Sequence, residues 1–191
     1  MTSLFSFAGQ FQEFLISQNW QYCFIGGIAL QRWGQPRLTN DIDVTVLAGF
    51  GNESHYADAL LSTYDGRLPD AREFAINNRV LLLQSSDGIP IDVSLGGIAL
   101  EEEIIRRSSP YEFLPDIILR TCSAEDLVVL KAFADRNRDW ADIETVIERQ
   151  VCVLDWDYIQ NQLQALSEIP GKADILKRLT KLRDIGDKNS E

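Results

Sequence analysis

Gly26-Gly27-Ile28-Ala29-Leu30-Gln31-Arg32-Trp33-Gly34-Gln35-Pro36-Arg37-Leu38-Thr39-Asn40-Asp41-Ile42-Asp43 is the stretch on which the reading of this chain turns. It follows a short β-like run, Tyr22-Cys23-Phe24-Ile25, and the glycine pair closes that run. Ile28 to Trp33 suits a short helix, ended by Gly34 with Pro36 just beyond. The two aspartates open an apolar run, Val44-Thr45-Val46-Leu47, that reads as a strand from Asp41 to Leu47. On a strand, residues two apart share a face about 6–7 Å apart, so Asp41 and Asp43 can hold a divalent metal between them.

Further acids matter only if the fold brings them near. Ile89-Pro90-Ile91-Asp92-Val93-Ser94-Leu95 alternates, with Ile89, Ile91, Val93 and Leu95 on one face and Asp92 and Ser94 on the other. The turn before it, Ser85-Ser86-Asp87-Gly88, suits a hairpin with a strand around Val80-Leu81-Leu82-Leu83. If the strand carrying Asp92 lies beside the one carrying Asp41 and Asp43, the three carboxylates converge. Hard oxygen ligands of this kind suit Mg²⁺ or Mn²⁺. Gly26-Gly27, at a strand-to-helix junction, can offer backbone N–H groups to phosphate oxygens.

Elsewhere, Ser3 to Gln18 reads as a helix, with Leu4, Phe7, Phe11, Phe14 and Leu15 at helical spacing. Helices are also expected from His55 to Tyr64 and from Leu100 to Arg107, with a loop from Gly66 to Asp70 between strand and helix signals. Ile117 to Thr121 is a short strand. Ser123 caps a strong helix through Ala134, with Glu125 and Asp126 in its first turn. Further helices are expected from Trp140 to about Arg149, from Asp155 to Leu166, and from Pro170 to about Ile185, leaving a frayed tail from Gly186. The fold class is therefore α+β: a mixed sheet flanked by helices through residue 121, then an all-helical half over residues 122–191 packed on it.

The chain has 191 residues, 45% apolar and 25% charged, with a net charge of −11. That balance argues against a protein that coats nucleic acid. The charge is uneven: between Asp41 and Glu103 there are twelve acids and three bases, Arg67, Arg72 and Arg79. No apolar run reaches the ~18 residues of a membrane span, and the N-terminus lacks a signal-peptide pattern, so a cytoplasmic location is expected. Cys23, Cys122 and Cys152 lie far apart in apolar surroundings, and His55 is the single histidine. This points to reduced, buried thiols and away from zinc.

Together, Gly-Gly, Arg37-x-Thr39 and Asp41-x-Asp43 resemble the DNA polymerase β-like nucleotidyltransferase superfamily, closest to AbiEii/MenT-type toxin nucleotidyltransferases. The match is close over residues 22–47. Pro90-Ile91-Asp92-Val93 looks like the third-acid strand. Ser123-Ala124-Glu125-Asp126-Leu127 through Lys131 resembles a family helix, followed by an arginine-rich break (Arg136, Arg138) and an Asp-x-x-Asp element (Asp139, Asp142). The resemblance implies transfer of a nucleoside monophosphate from an NTP to an acceptor hydroxyl. Asp41, Asp43 and Asp92 would be catalytic and bind metal. Gly26 and Gly27 would cradle the triphosphate, Arg37 and Thr39 would order the loop or touch phosphate, Lys131 would neutralise phosphates, and Asp139 would position Lys131 or substrate. Relatives commonly carry Ser or Thr after the glycine pair, and Ile28 removes that phosphate contact. Three alternatives stay open: a toxin acting on RNA such as the 3′ end of tRNA, with a cognate antitoxin; a small-molecule enzyme of the aminoglycoside type; or a non-catalytic nucleotide-binding relative.

Overall fold

The computed structural model describes residues 2–150 and 153–188, and the chain divides into two compact units: Met1–Ile28 with Leu38–Cys122, and Ala29–Arg37 with Ser123–Glu191. Residues 29–37, inside the opening stretch, therefore group with the helical segment rather than with the residues that flank them. Cys152 and the tail beyond Lys188 lie outside the described residues.

The first unit is built on one mixed sheet. Its strands are β1 (Tyr22–Phe24), β2 (Ile42–Leu47), β3 (Asp65–Gly66), β4 (Val80–Gln84), β5 (Pro90–Gly96), β6 (Ser109–Leu114) and β7 (Ile117–Thr121). Across the sheet they run β3-β4-β5-β2-β1-β7-β6. The expected hairpin forms between β4 and β5, with Ser85 N–H donating to the Ile89 carbonyl at 2.9 Å. β2 and β5 are neighbours and parallel, with Ile42 opposite Ile91, Asp43 opposite Asp92 and Val44 opposite Val93.

Side-chain alternation fixes that register. Ile42, Val44, Val46, Ile91, Val93 and Leu95 are all buried in one apolar cluster, which Phe11, Leu15 and Leu60 also enter. A slip of one residue in either strand would send that strand's aspartate into this cluster and its aliphatic side chains to the opposite face. The same alternation therefore builds the core and aims the acids away from it. The cluster draws on α1 (Thr2–Ser17), α3 (Glu53–Leu61) and α4 (Ala71–Asn78). The aromatic stripe of α1 closes on one ring, Tyr64, with Phe11 and Phe14 at 5.1 and 5.5 Å between centroids. Ile28 is fully buried in the same cluster, in α2 (Gly26–Trp33). On the polar face, α5 (Ala99–Arg107) comes against β2.

Several boundaries differ from the sequence expectation for identifiable reasons. The helix expected from Ile28 begins at Gly26, so that the glycine pair opens it. Asp41 lies just before the strand, which begins at Ile42. α4 lies between the expected loop and the expected strand, its eight residues being too few for a helical period to stand out, and Arg79 ends it in the left-handed region at φ +57°. β6 is unexpected because it holds Pro110 and Glu112; as the sheet's edge strand it tolerates a proline, and its pairing with β7 is what defines it.

The second unit holds α6 (Ala124–Ala134), α7 (Asn137–Arg149), α8 (Trp156–Ser167) and α9 (Ile175–Lys188). Ser123 caps α6 by accepting the Asp126 N–H at 3.1 Å, and Asp155 caps α8 by accepting the Tyr158 N–H at 2.9 Å. α7 starts at Asn137, within the arginine-rich break. The last helix starts at Ile175 rather than at Pro170, after a turn in which Gly171 stands at φ +86°. Residues 29–37 are stitched into this unit by polar bonds. Gln35 N–H donates to Thr145 Oγ1 at 3.0 Å, Gln150 Nε2 donates to the Trp33 carbonyl at 3.2 Å, and Arg149 donates to the Gly34 carbonyl.

Candidate active site

The β2–β5 register brings Asp43 and Asp92 side by side on the polar face of the sheet. Neighbouring strands lie about 4.8 Å apart, so two carboxylates at paired positions are within reach of one cation. Asp41, two residues before Asp43, adds a third negative charge. Burial pushes the Asp92 carboxyl above its ordinary range, Arg67 opposes the rise, and the charge of Asp41 adds to it. The three acids predicted from sequence are thus assembled in one electrostatic neighbourhood of the first unit.

Each of them has its own protein partner. Arg67 Nη2 donates to Asp92 Oδ1 in an ion pair. Thr39 Oγ1 donates to Asp41 Oδ1 at 2.8 Å. Gly27 N–H makes a long contact of 3.4 Å to Asp43 Oδ2, where the open end of α2 favours negative charge. Among the described residues, no three His, Cys, Asp or Glu side chains are drawn together into a ready metal-holding group.

The glycine pair is fitted to this carboxylate row. Gly26 stands at φ +56°, and a Cβ there would collide with the Asp43 carboxylate; a Cβ on Gly27 would collide with Thr39 Oγ1. Both glycines thus let β2 and the Thr39 loop pack directly against the start of α2. Gly26→Ala is expected to destabilise the protein by at least about 1–2 kcal/mol, the cost of left-handed backbone for a residue with a Cβ. The shift in urea midpoint measures it, and an unchanged midpoint would mean the backbone escapes both constraints.

In the second unit, Lys131, Asp139, Asp142, Arg37 and Arg136 form one ionic cluster. Lys131 Nζ donates to Asp142 Oδ2 at 2.7 Å and to Asp139 Oδ1 at 3.2 Å. Arg37 forks onto Asp142, with Nε and Nη2 each at 2.8 Å from a carboxylate oxygen. Arg136 Nε donates to Asp139 Oδ2 at 2.6 Å. Lys131 is 6% exposed and both acids are buried. Burial works against the charged forms of Asp139 and Asp142. Bonds from Arg136 and Lys131 to Asp139, and from Arg37 and Lys131 to Asp142, outweigh it and hold both carboxyls below their usual range. Arg37, Lys131 and Asp139, predicted from widely separated motifs, thus meet through Asp142.

A family model described as nucleotidyl transferase AbiEii toxin, type IV TA system, matches residues 17–184. The chain belongs to the AbiEii nucleotidyltransferase toxin family. No curated protein sequence matches it significantly. Among solved structures, an antigenic nucleotidyltransferase-like protein from Paracoccidioides brasiliensis is similar with a TM-score of 0.54 at 14% identity, over 92% of each chain. The antibiotic-resistance factor ANT(2'')-Ia is similar with a TM-score of 0.52 at 14% identity, over 98% of each chain. At such low identity these neighbours establish the α+β nucleotidyltransferase-like fold. The AbiEii family match is what connects the chain to nucleotidyl transfer and to toxin–antitoxin systems.

Nucleotidyltransferases generally use a divalent metal and an NTP, and the AbiEii chain's carboxylate row fits a hard cation. Its donors are all carboxylate oxygens, two of them at paired positions on parallel strands. Negative charge at Asp41 already disfavours ionised Asp92, so an added cation there relieves repulsion.

The sequence reading assigns no role of their own to two residues, one in each unit. Arg67 is the counter-ion of Asp92, and its only signal is being one of three bases in the acidic segment from Asp41 to Glu103. Asp142 joins Arg37 to Lys131, and its signal is the three-residue spacing from Asp139, which places both on one helix face.

Proposed function

We propose that the protein is a metal-dependent nucleotidyltransferase that moves a nucleoside monophosphate from an NTP to an acceptor hydroxyl. The observation that carries this reading is the pairing of Asp43 with Asp92 in parallel register, two residues beyond Asp41 and against the glycine pair. Asp41, Asp43 and Asp92 are the residues that would hold Mg²⁺ or Mn²⁺. The bound metal would supply charge neutralisation at the transferring phosphoryl group. Asp92, with its carboxyl held above the ordinary range, is suited to take the proton of an acceptor hydroxyl. Backbone N–H groups at the start of α2 would meet phosphate oxygens, and Thr39, held against Asp41, would keep the loop in place. In the helical unit, Lys131 is the proposed phosphate counter-charge, its ammonium fixed by Asp139 and Asp142, and Arg37 fixes Asp142.

The acceptor we assign is RNA, with the 3′ end of tRNA first, and the partner is the cognate antitoxin that a toxin–antitoxin family implies. The acidic segment from Asp41 to Glu103 favours a second reading, in which the acceptor is a cationic small molecule such as an aminoglycoside. One experiment separates them. Purified protein is incubated with Mg²⁺ or Mn²⁺, each of four α-labelled NTPs, and either total tRNA or a panel of aminoglycosides. Label in tRNA is the expected result. Label in the drug fraction alone selects the second reading, and label in neither leaves only a non-catalytic nucleotide binder. Among the described residues no helix is long and apolar enough to cross a membrane.

A further inference from the structure

We propose that Arg67 is a resident counter-ion of Asp92, which a divalent cation has to displace before Asp92 can serve as its ligand. This rests on the metal-dependent reading above. The observation is a transverse row across the sheet. Arg67 follows β3, and its N–H donates to the Leu82 carbonyl at 2.9 Å. Leu82 is the β4 partner of Asp92, and Asp92 is the β5 partner of Asp43. Arg67 therefore reaches the acidic row from the β3 edge at the register of Asp92, and its side chain ends on Asp92 Oδ1.

The chemistry makes this contact a competition. A guanidinium and a divalent cation both seek carboxylate oxygens, and a carboxylate committed to one is a poorer ligand for the other. Arg67 takes the strand-paired acid, the one set beside Asp43. The backbone of Arg67 is pinned to β4, and Gly66 before it packs so closely on Ala71 that a Cβ would stand 2.7 Å from that side chain's Cβ. The exchange therefore needs only a side-chain swing. The two side chains are 29% and 38% exposed, enough for a guanidinium to leave through solvent. A planar guanidinium that leaves a carboxylate also pairs well with phosphate, so an incoming NTP offers Arg67 a replacement partner.

The test is Mn²⁺ binding, followed by electron paramagnetic resonance of the free ion and by calorimetry, with no nucleotide present. Arg67→Gln is expected to tighten Mn²⁺ binding by about tenfold, the scale of releasing a half-buried ion pair. Arg67→Lys, which keeps the charge but loses the planar fork, is expected to fall between. The decisive control is the same change in an Asp92→Asn background. There the gain is expected to vanish, because Arg67 has no carboxylate to release. A gain that persists in that background overturns the proposal in favour of a diffuse charge effect. Equal Mn²⁺ affinity in the wild type and Arg67→Gln overturns the role of Arg67 and leaves the metal reading standing. Absence of Mn²⁺ binding in every variant overturns both. Circular dichroism of each variant confirms that folded protein is being compared.

Discussion

Asp41→Asn and Asp43→Asn together are expected to abolish transfer of labelled nucleotide, by about 10³-fold or more, while the protein stays folded. Both changes preserve shape. The amide oxygen introduced at position 41 still accepts the Thr39 hydroxyl, and the one introduced at position 43 still accepts the Gly27 N–H, so the contacts that position the loop and α2 survive. What disappears is two of the three negative charges in the row. A metal site that loses two anionic ligands loses most of its affinity for a hard cation. The measurement is label incorporated into tRNA or drug per mole of protein, with a urea midpoint alongside. The midpoint is expected to move little or upward, because repulsion onto Asp92 is relieved. Transfer that persists in the double variant with an unchanged rate would falsify the assignment of this row as the catalytic centre.

The second large effect concerns stability. Lys131→Met is expected to cost about 3–5 kcal/mol, because it removes a buried ammonium shared by two buried carboxylates. Arg136 still covers Asp139 and Arg37 still covers Asp142, which keeps the loss within that range rather than beyond it. Acid titration gives an independent check. Asp139 and Asp142 have folded-state values below their unfolded values, near 3.9 for an aspartate. Their contribution is thus fully present above the unfolded value and is lost as pH falls below about 4 toward the depressed folded values. In Lys131→Met the shifts shrink, so less of the stability depends on this acid window. Urea midpoints across pH 7 to 3 measure both effects. A Lys131→Met midpoint equal to the wild type would mean the cluster contributes nothing net, as buried ion pairs sometimes do.

Local pattern was enough for the strands that build the site. The alternation of Ile91, Asp92, Val93 and Ser94 announces one buried and one polar face, and the structure keeps it. The Asp87-Gly88 turn announces the β4–β5 hairpin, which forms. Where elements depend on distant partners, the pattern is weak. β6 exists because β7 pairs with it, and Pro110 hides it from any local reading. α4 is short, and Ala71, Phe74 and Ala75 span barely one turn, so its helical face carries little periodic signal. Lys131 illustrates the same limit: on a helix with apolar neighbours, nothing local decides whether it lies on the surface or, as found, is buried against two acids.

The opening stretch divides along the same line. By itself the sequence determined the strand–Gly-Gly–helix junction, the paired aspartates and the kinship with nucleotidyltransferases, because these depend on backbone preference and on two-residue spacing within a few positions of one another. Only the tertiary structure decided that Asp43 stands opposite Asp92, that Arg67 holds Asp92, and that Asp142 gathers Arg37 and Lys131. Those facts rest on strand register and helix packing between distant positions, Arg67 and Asp92 being 25 residues apart and Arg37 and Asp142 being 105, and no local periodicity encodes them.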